Sequence, residues 1–232
     1  MSVKEEQLHE RRFPGESEEY RRARNHLLSA EIELRRQIEA VAAQRRELPP
    51  GGAVTTDYVF DAWEAAGDRP RTVRLSELFD EGKDTLFLYS FMLPPGGPAC
   101  PSCTSILDGL DGQLRHITQR ISYAVCAKAP IEEFRAHAQA RGWRSARLLS
   151  SSGNSYNHDY HSETPSGQQL PIATVFTRRD GTIRHFWSSE LAYAPSEPGQ
   201  HPRHVDYLWP VWPILDTTPE GRDPDWGPSL QY

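Results

Sequence analysis

A chain of 232 residues with 37% hydrophobic and 25% charged side chains is long enough to bury a substantial core, which excludes a wholly disordered protein. Its net charge of −6 excludes the broad basic face that phosphate backbones require, so no nucleic-acid partner is expected. No apolar run reaches the ~18 residues of a membrane helix and residues 1–30 lack a signal-peptide core, so no membrane partner is expected and the expected compartment is the cytoplasm.

Residues 16–48 predict one long helix. Tyr20, Leu27, Leu34, Val41 and Leu48 recur every seven residues, Leu28 and Ile38 widen the stripe, and charges fill the other faces. Such a stripe serves either to pack on its own domain or to pair with a second copy, giving a homodimer. Leu48-Pro49-Pro50-Gly51-Gly52 ends the helix. Short strands are predicted at 56–60 and 72–75. The run from Thr85 to Phe91 is continuously apolar, the pattern of a strand buried on both faces. A turn from Pro94 to Pro98 leads into Cys100-Pro101-Ser102-Cys103, after which Ile106, Leu107, Leu110, Leu114 and Ile117 recur at helical spacing.

Residues 121–127 read as a second buried strand. The next helix, 130–141, has Pro130 at its start and Gly142 at its end. A short strand is expected at 147–149, and 150–170 reads as polar and irregular. Two apolar runs, 172–177 and 182–187, flank Asp180-Gly181, a hairpin signal. The Pro- and Trp-rich tail, 195–232, is expected to wrap the surface with one distorted helix. Three regions are therefore expected: a helical extension at 1–52, an α/β domain at 53–194 and a C-terminal extension at 195–232 packing on it.

The chemistry concentrates at Cys100 and Cys103. Three cysteines cannot build a disulfide framework, and a Cys-x-x-Cys pair reads as redox or metal chemistry. At a strand-to-helix junction Cys100 takes the N-cap and Pro101 the first helical position, where its missing N–H costs nothing. Free N–H groups and the helix dipole stabilise a thiolate there. Cys100 is thus the expected attacking thiol and Cys103, one turn on and more buried, the resolving thiol. The competing reading is half of a zinc site completed by His158 and His161, on a polar loop. No cofactor and no metal are expected. The third thiol, Cys126, is expected to be buried, unpaired and dispensable.

A β-α-β-α-β order closed by a hairpin, with Cys-x-x-Cys at its first junction, resembles the thioredoxin fold: a mixed central sheet flanked by helices. In such folds a cis-proline faces the cysteines and positions substrate, and Pro171 stands at that place. Pro101 and Ser102 are also expected to position substrate.

Longer marks run from about residue 19 to 222. They include Ala23-Arg24-Asn25-His26-Leu27-Leu28, Asp57-Tyr58-Val59-Phe60, Leu75-Ser76-Glu77-Leu78-Phe79, Tyr89-Ser90-Phe91-Met92 and Cys100-Pro101-Ser102-Cys103. Asn157-His158-Asp159 and Leu215-Asp216-Thr217-Thr218-Pro219-Glu220-Gly221-Arg222 close the set. With these the chain resembles the bacterial thioredoxin-like family labelled predicted dithiol-disulfide oxidoreductase, distantly related to peroxiredoxins. Similar proteins usually carry His at position 90, where Ser90 stands, and Ser at position 126. The resemblance implies thiol-disulfide exchange with a disulfide substrate or redox partner protein. A non-catalytic binding protein is the alternative from another class, and a thiol peroxidase is a variant. Peroxiredoxins place Thr three residues before the reactive Cys, and Gly97 stands there, so disulfide exchange ranks above peroxide reduction.

Overall fold

The Ser17 hydroxyl accepts from the Tyr20 N–H and opens helix α1, Glu18–Arg46. Acids in its first turn and arginines in its last match the helix dipole. The seven-residue stripe of Tyr20, Leu27, Leu34 and Val41 is exposed, as are Ile38 and Leu48. The computed structural model describes residues 8–65, 67–196, 204–223 and 225–231. It divides into two units, Met1–Pro49, which holds α1, and Pro50–Tyr232. Among the described residues no helix is long and apolar enough to cross a membrane.

The second unit is built on seven strands: β1 (Val59–Trp63), β2 (Arg71–Arg74), β3 (Thr85–Phe91), β4 (Ser122–Ala127), β5 (Leu148–Ser150), β6 (Ala173–Arg179) and β7 (Thr182–Ser188). They lie in the order β2-β1-β5-β4-β3-β6-β7. Helix α2 (Pro101–Ile117) joins β3 to its parallel neighbour β4, and α3 (Ile131–Arg141) joins β4 to parallel β5. β6 runs antiparallel to β3 and turns into β7 through Asp180 and Gly181, both at positive φ (50° and 73°), as a two-residue hairpin of this hand requires. A central β3 with parallel β4 on one side, the antiparallel β6-β7 hairpin on the other and Cys-x-x-Cys directly after it is the thioredoxin-like arrangement. The β1-β2 pair extends the sheet beyond β5.

Strand alternation sorts the core into two layers. On one face Tyr89, Phe91, Tyr123 and Val125 meet Cys103, Ile106, Leu107 and Leu114 of α2 and Phe134 of α3. On the other, Leu86, Leu88, Ala124, Cys126 and Phe176 meet Leu75, Leu78, Phe79 and Tyr156. This second layer is covered by a single 3-10 turn, Leu75–Leu78, and by the short helix α4 (Tyr156–Asp159).

Helix α4 lies within the stretch that sequence reads as irregular. Its anchor is non-local: Tyr156, fully buried, packs edge-on to Tyr58 and Phe60. In the tail, Trp209 and Trp212 are core residues of the α2 layer. Trp209 Nε1 donates to Ser105 Oγ at 3.0 Å, and a Cβ on Gly109 would stand 3.1 Å from the Pro210 ring, so the tail closes tightly on the outside of α2. The expected distorted helix is α5, Val211–Leu215.

Candidate active site at the Cys-Pro-Ser-Cys turn

Strand β3 delivers the chain to the site and a tight turn reverses it. Gly97 N–H donates to the Pro94 carbonyl at 3.0 Å across Pro95 and Gly96, with Gly96 at φ 65°, where glycine is favoured. Glu133 of α3 accepts from the Gly96 N–H at 2.9 Å and ties the turn down. Cys100 N–H then donates to the Met92 carbonyl at 3.0 Å, and α2 begins.

Cys100 is the N-cap of α2 and Pro101 its first residue. The Cys103 N–H donates to the Cys100 sulfur at 3.3 Å. Cys100 is half-buried, Cys103 is 1% exposed, and both are free thiols. The hydrogen bond from the Cys103 side chain, joined by the Cys103 and Ser102 N–H groups and the Ser102 side chain, brings the Cys100 thiol down to about 6 against the opposing effect of burial. Burial, followed by the hydrogen bond and charge of Cys100, pushes the Cys103 thiol well up. The two thiols are thus shifted in opposite directions, the more exposed one toward the thiolate and the buried one toward the protonated form.

A second group holds the helix start from below. Thr104 Oγ1 donates to the Cys100 carbonyl at 2.9 Å and lies 3.1 Å from His137 Nε2. His137 sits between the rings of Phe91 and Trp143, and burial lowers its pKa. A neutral ring donating from Nε2 satisfies Thr104, whose proton is committed to Cys100. Neither Thr104 nor His137 stands out in the sequence, because they lie 33 residues apart on two helices.

The other expected site residues are placed as follows. Ser102 is half-buried between the cysteines, and Pro101 is exposed. Pro171 is not cis: the described residues contain no cis peptide bond. The Ile172 N–H donates to the Leu170 carbonyl at 3.1 Å, a three-residue turn that the fixed φ of a trans proline suits. The Pro171 carbonyl accepts from His204 Nε2 at 3.0 Å. This segment still borders the site, because Ser90 N–H donates to the Ile172 carbonyl at 2.8 Å and Leu93 N–H to Gln169 Oε1 at 2.9 Å.

His158 and His161 are not brought to the cysteines. His158 Nδ1 pairs with Asp159 at 3.1 Å, and His161, at φ 54°, lines a separate cleft of about 430 Å3 with Tyr160, His185, Ser188, Glu190 and Tyr193. Ser90 alternates away from the thiols and faces the Tyr156 hydroxyl in the second layer.

The family model described as a bacterial protein of unknown function (DUF899) matches residues 10–232. A search of curated proteins finds no match. Similar solved structures include the reduced 2-Cys peroxiredoxin of Plasmodium vivax, 17% identical with a TM-score of 0.46 over 71% of this chain and 97% of that one. A PrxQ mutant from Xylella fastidiosa is 12% identical, with a TM-score of 0.46 over 72% and 96%. A hypothetical protein from Sinorhizobium meliloti 1021 is 16% identical, with a TM-score of 0.42 over 69% and 80%. The fold assignment rests on the strand order and register above.

Proposed function

We propose, for a chain that belongs to the bacterial family of unknown function DUF899, a dithiol-disulfide oxidoreductase acting through Cys100 and Cys103. The observation that carries this reading is the placement of Cys100 at the N-cap of α2, half-buried and accepting the Cys103 N–H at 3.3 Å, with Cys103 closed off one turn on, an arrangement that draws the Cys100 thiol down and pushes the Cys103 thiol up.

In the first step the Cys100 thiolate attacks a substrate disulfide. A Cys100–substrate S–S bond forms, the substrate S–S bond breaks, and one substrate sulfur leaves as thiolate. In the second step Cys103 attacks Cys100 sulfur, closes the Cys100–Cys103 disulfide and releases the second substrate thiol. A dithiol reductant returns the pair to its starting state, and a reducing compartment such as the cytoplasm holds it there. Pro101, Ser102 and the 169–172 segment form the rim at which substrate is positioned. The exposed stripe of α1 is the proposed pairing surface of a homodimer, since a seven-residue repeat suits two supercoiled helices.

Disulfide exchange is favoured over peroxide reduction by the turn before Cys100. A Cβ on Gly97 would come within 2.6 Å of the Pro94 ring, so the turn has no room for a threonine hydroxyl at that place.

The test is a Cys103→Ser protein exposed to a mixture of oxidised thiols. It should accumulate a mixed disulfide on Cys100 that dithiothreitol releases, while wild type accumulates none. Failure to trap any adduct, with Cys100 no faster than a free cysteine toward an alkylating agent, would remove the reading.

A further inference from the structure

Helix α3 reaches the site with two polar side chains from positions one turn apart. Glu133 and His137 are separated by four residues, so they share one face of α3. Glu133 accepts the Gly96 N–H at 2.9 Å and so holds the turn that enters the Cys-Pro-Ser-Cys segment. His137 Nε2 lies 3.1 Å from Thr104 Oγ1 and so holds the first turn of α2, which leaves it. In the chain, Cys100 stands between these two anchors.

The second anchor carries a cost that packing alone does not need. Thr104 is fully buried. His137 lies half-buried against the rings of Phe91 and Trp143, a place that a phenylalanine ring would fill without a polar group to satisfy. The Cys100 carbonyl already accepts the Thr104 N–H at 3.0 Å, the first bond of the helix. The Thr104 hydroxyl adds a second donor to the same carbonyl at 2.9 Å. Pro101 has no N–H with which to hold the peptide that joins it to Cys100, so the doubly bonded carbonyl fixes that peptide, and the Cys100 sulfur with it.

We propose that Thr104 and His137 are positioning residues of the dithiol site, with α3 as the brace that sets where the Cys100 sulfur stands. The proposal rests on the thiol-disulfide reading above. The donors run in one direction, from the His137 Nε2–H to Thr104 Oγ1 and from the Thr104 O–H to the Cys100 carbonyl. Each donor is polarised by the one behind it, and the aligned dipoles turn a positive end toward Cys100, adding to that of the helix. The charged groups acting on the ring are Arg141 of α3 and Asp108 of α2, which form an ion pair and oppose each other, so burial keeps the ring neutral. A fixed Cys100 also serves the resolving step, in which Cys103 must meet the Cys100 sulfur in line with its bond to the substrate sulfur.

The test is a pair of variants of the full chain, Thr104→Val and His137→Phe, which remove the hydroxyl and the ring donor and keep the packing. Each should raise the midpoint of Cys100 alkylation against pH by about 0.3–0.5 unit, a roughly two- to threefold loss of rate on the acidic side. The mixed disulfide with a model substrate should persist about two- to fivefold longer. Thr104→Ser, which keeps the hydroxyl, should restore both readings, which a loss of packing would not allow. In a Thr104→Val background, His137→Phe should shift the midpoint no further, because the ring acts through the hydroxyl.

An unchanged midpoint and lifetime in a folded Thr104→Val protein whose Cys100 remains reactive would overturn this proposal and leave the functional reading intact. Additive shifts in the double variant would overturn the path from His137 through Thr104. An inert Cys100 in the wild-type chain would overturn both the proposal and the reading beneath it. If Thr104→Val does not fold, His137→Phe decides: a raised midpoint supports the brace, and an unchanged one removes it.

Discussion

Cys126 and Cys103 lie on opposite faces of one sheet. The Cys126 side chain sits with Ala124 and Tyr156 in the layer beneath α4, while Cys103 belongs to the α2 layer with Tyr123 and Val125. Both are fully buried, and burial pushes the Cys126 thiol up to about 12. A sulfur with a β-strand between it and the active pair has no route to it without unfolding.

It follows that Cys126→Ala should leave the reduction potential and exchange rate of the Cys100–Cys103 couple unchanged. Its cost should appear as stability alone, about 1 kcal/mol for the lost sulfur contacts. Denaturant titration and a redox equilibration against glutathione measure the two quantities. A large loss of exchange in a folded Cys126→Ala protein would mean a three-thiol relay.

The pH dependence of the reduced protein follows from the sign of the Cys100 shift. Its thiol titrates near 9.0 when unfolded and at about 6 when folded. A group whose folded pKa is depressed adds stability that is fully present above the unfolded value and is lost as pH falls through the folded one. The melting temperature of the reduced protein should therefore rise between pH 6 and 9. Above that window Cys103 and Cys126, whose thiols are raised by burial, reverse the trend. The oxidised protein lacks the Cys100 titration and should show a flatter profile between pH 6 and 9. Parallel profiles for the two forms would contradict the thiolate assignment.

Much of the site was legible because its signals are local. Pro101 at the first helical position, Gly142 in the left-handed cap of α3 and Asp180-Gly181 in the hairpin each act within a few residues. What escaped is non-local. Tyr89 reads as one more apolar residue in a buried run, yet its hydroxyl ends buried in the α2 layer with no hydrogen-bond partner. The Thr104–His137 contact joins two helices. Pro171 was expected to be cis from its place before a strand, yet a turn closing from Ile172 to Leu170 holds it trans. Helix α4 carries little periodicity of its own, and the Tyr58, Phe60 and Tyr160 rings around Tyr156 decide it.

A structural carboxylate gives a third prediction. Asp111, on the second half of α2, accepts three backbone N–H groups from the segment before β5: Arg144 at 2.9 Å, Ser145 at 2.9 Å and Ala146 at 3.1 Å. Hydrogen bonds to an ionised acceptor are among the stronger ones, and all three donors lose their partner together in Asp111→Ala. The cost should be about 2 kcal/mol in urea denaturation, with the alkylation midpoint of Cys100 unmoved. Asp111→Asn, which keeps an acceptor, should recover part of the loss. An Asp111→Ala protein as stable as wild type would show that this segment is held by other means.

The indole rings at the end of the chain set a temporal condition on the chemistry. Trp209 and Trp212 close the outer surface of the helix that carries both cysteines, and Cys103 lies in the layer they complete. During synthesis the cysteines emerge more than a hundred residues before these rings do. Until then the outer side of that helix lacks part of its cover, so the burial that raises the Cys103 thiol is completed only once these rings have been made.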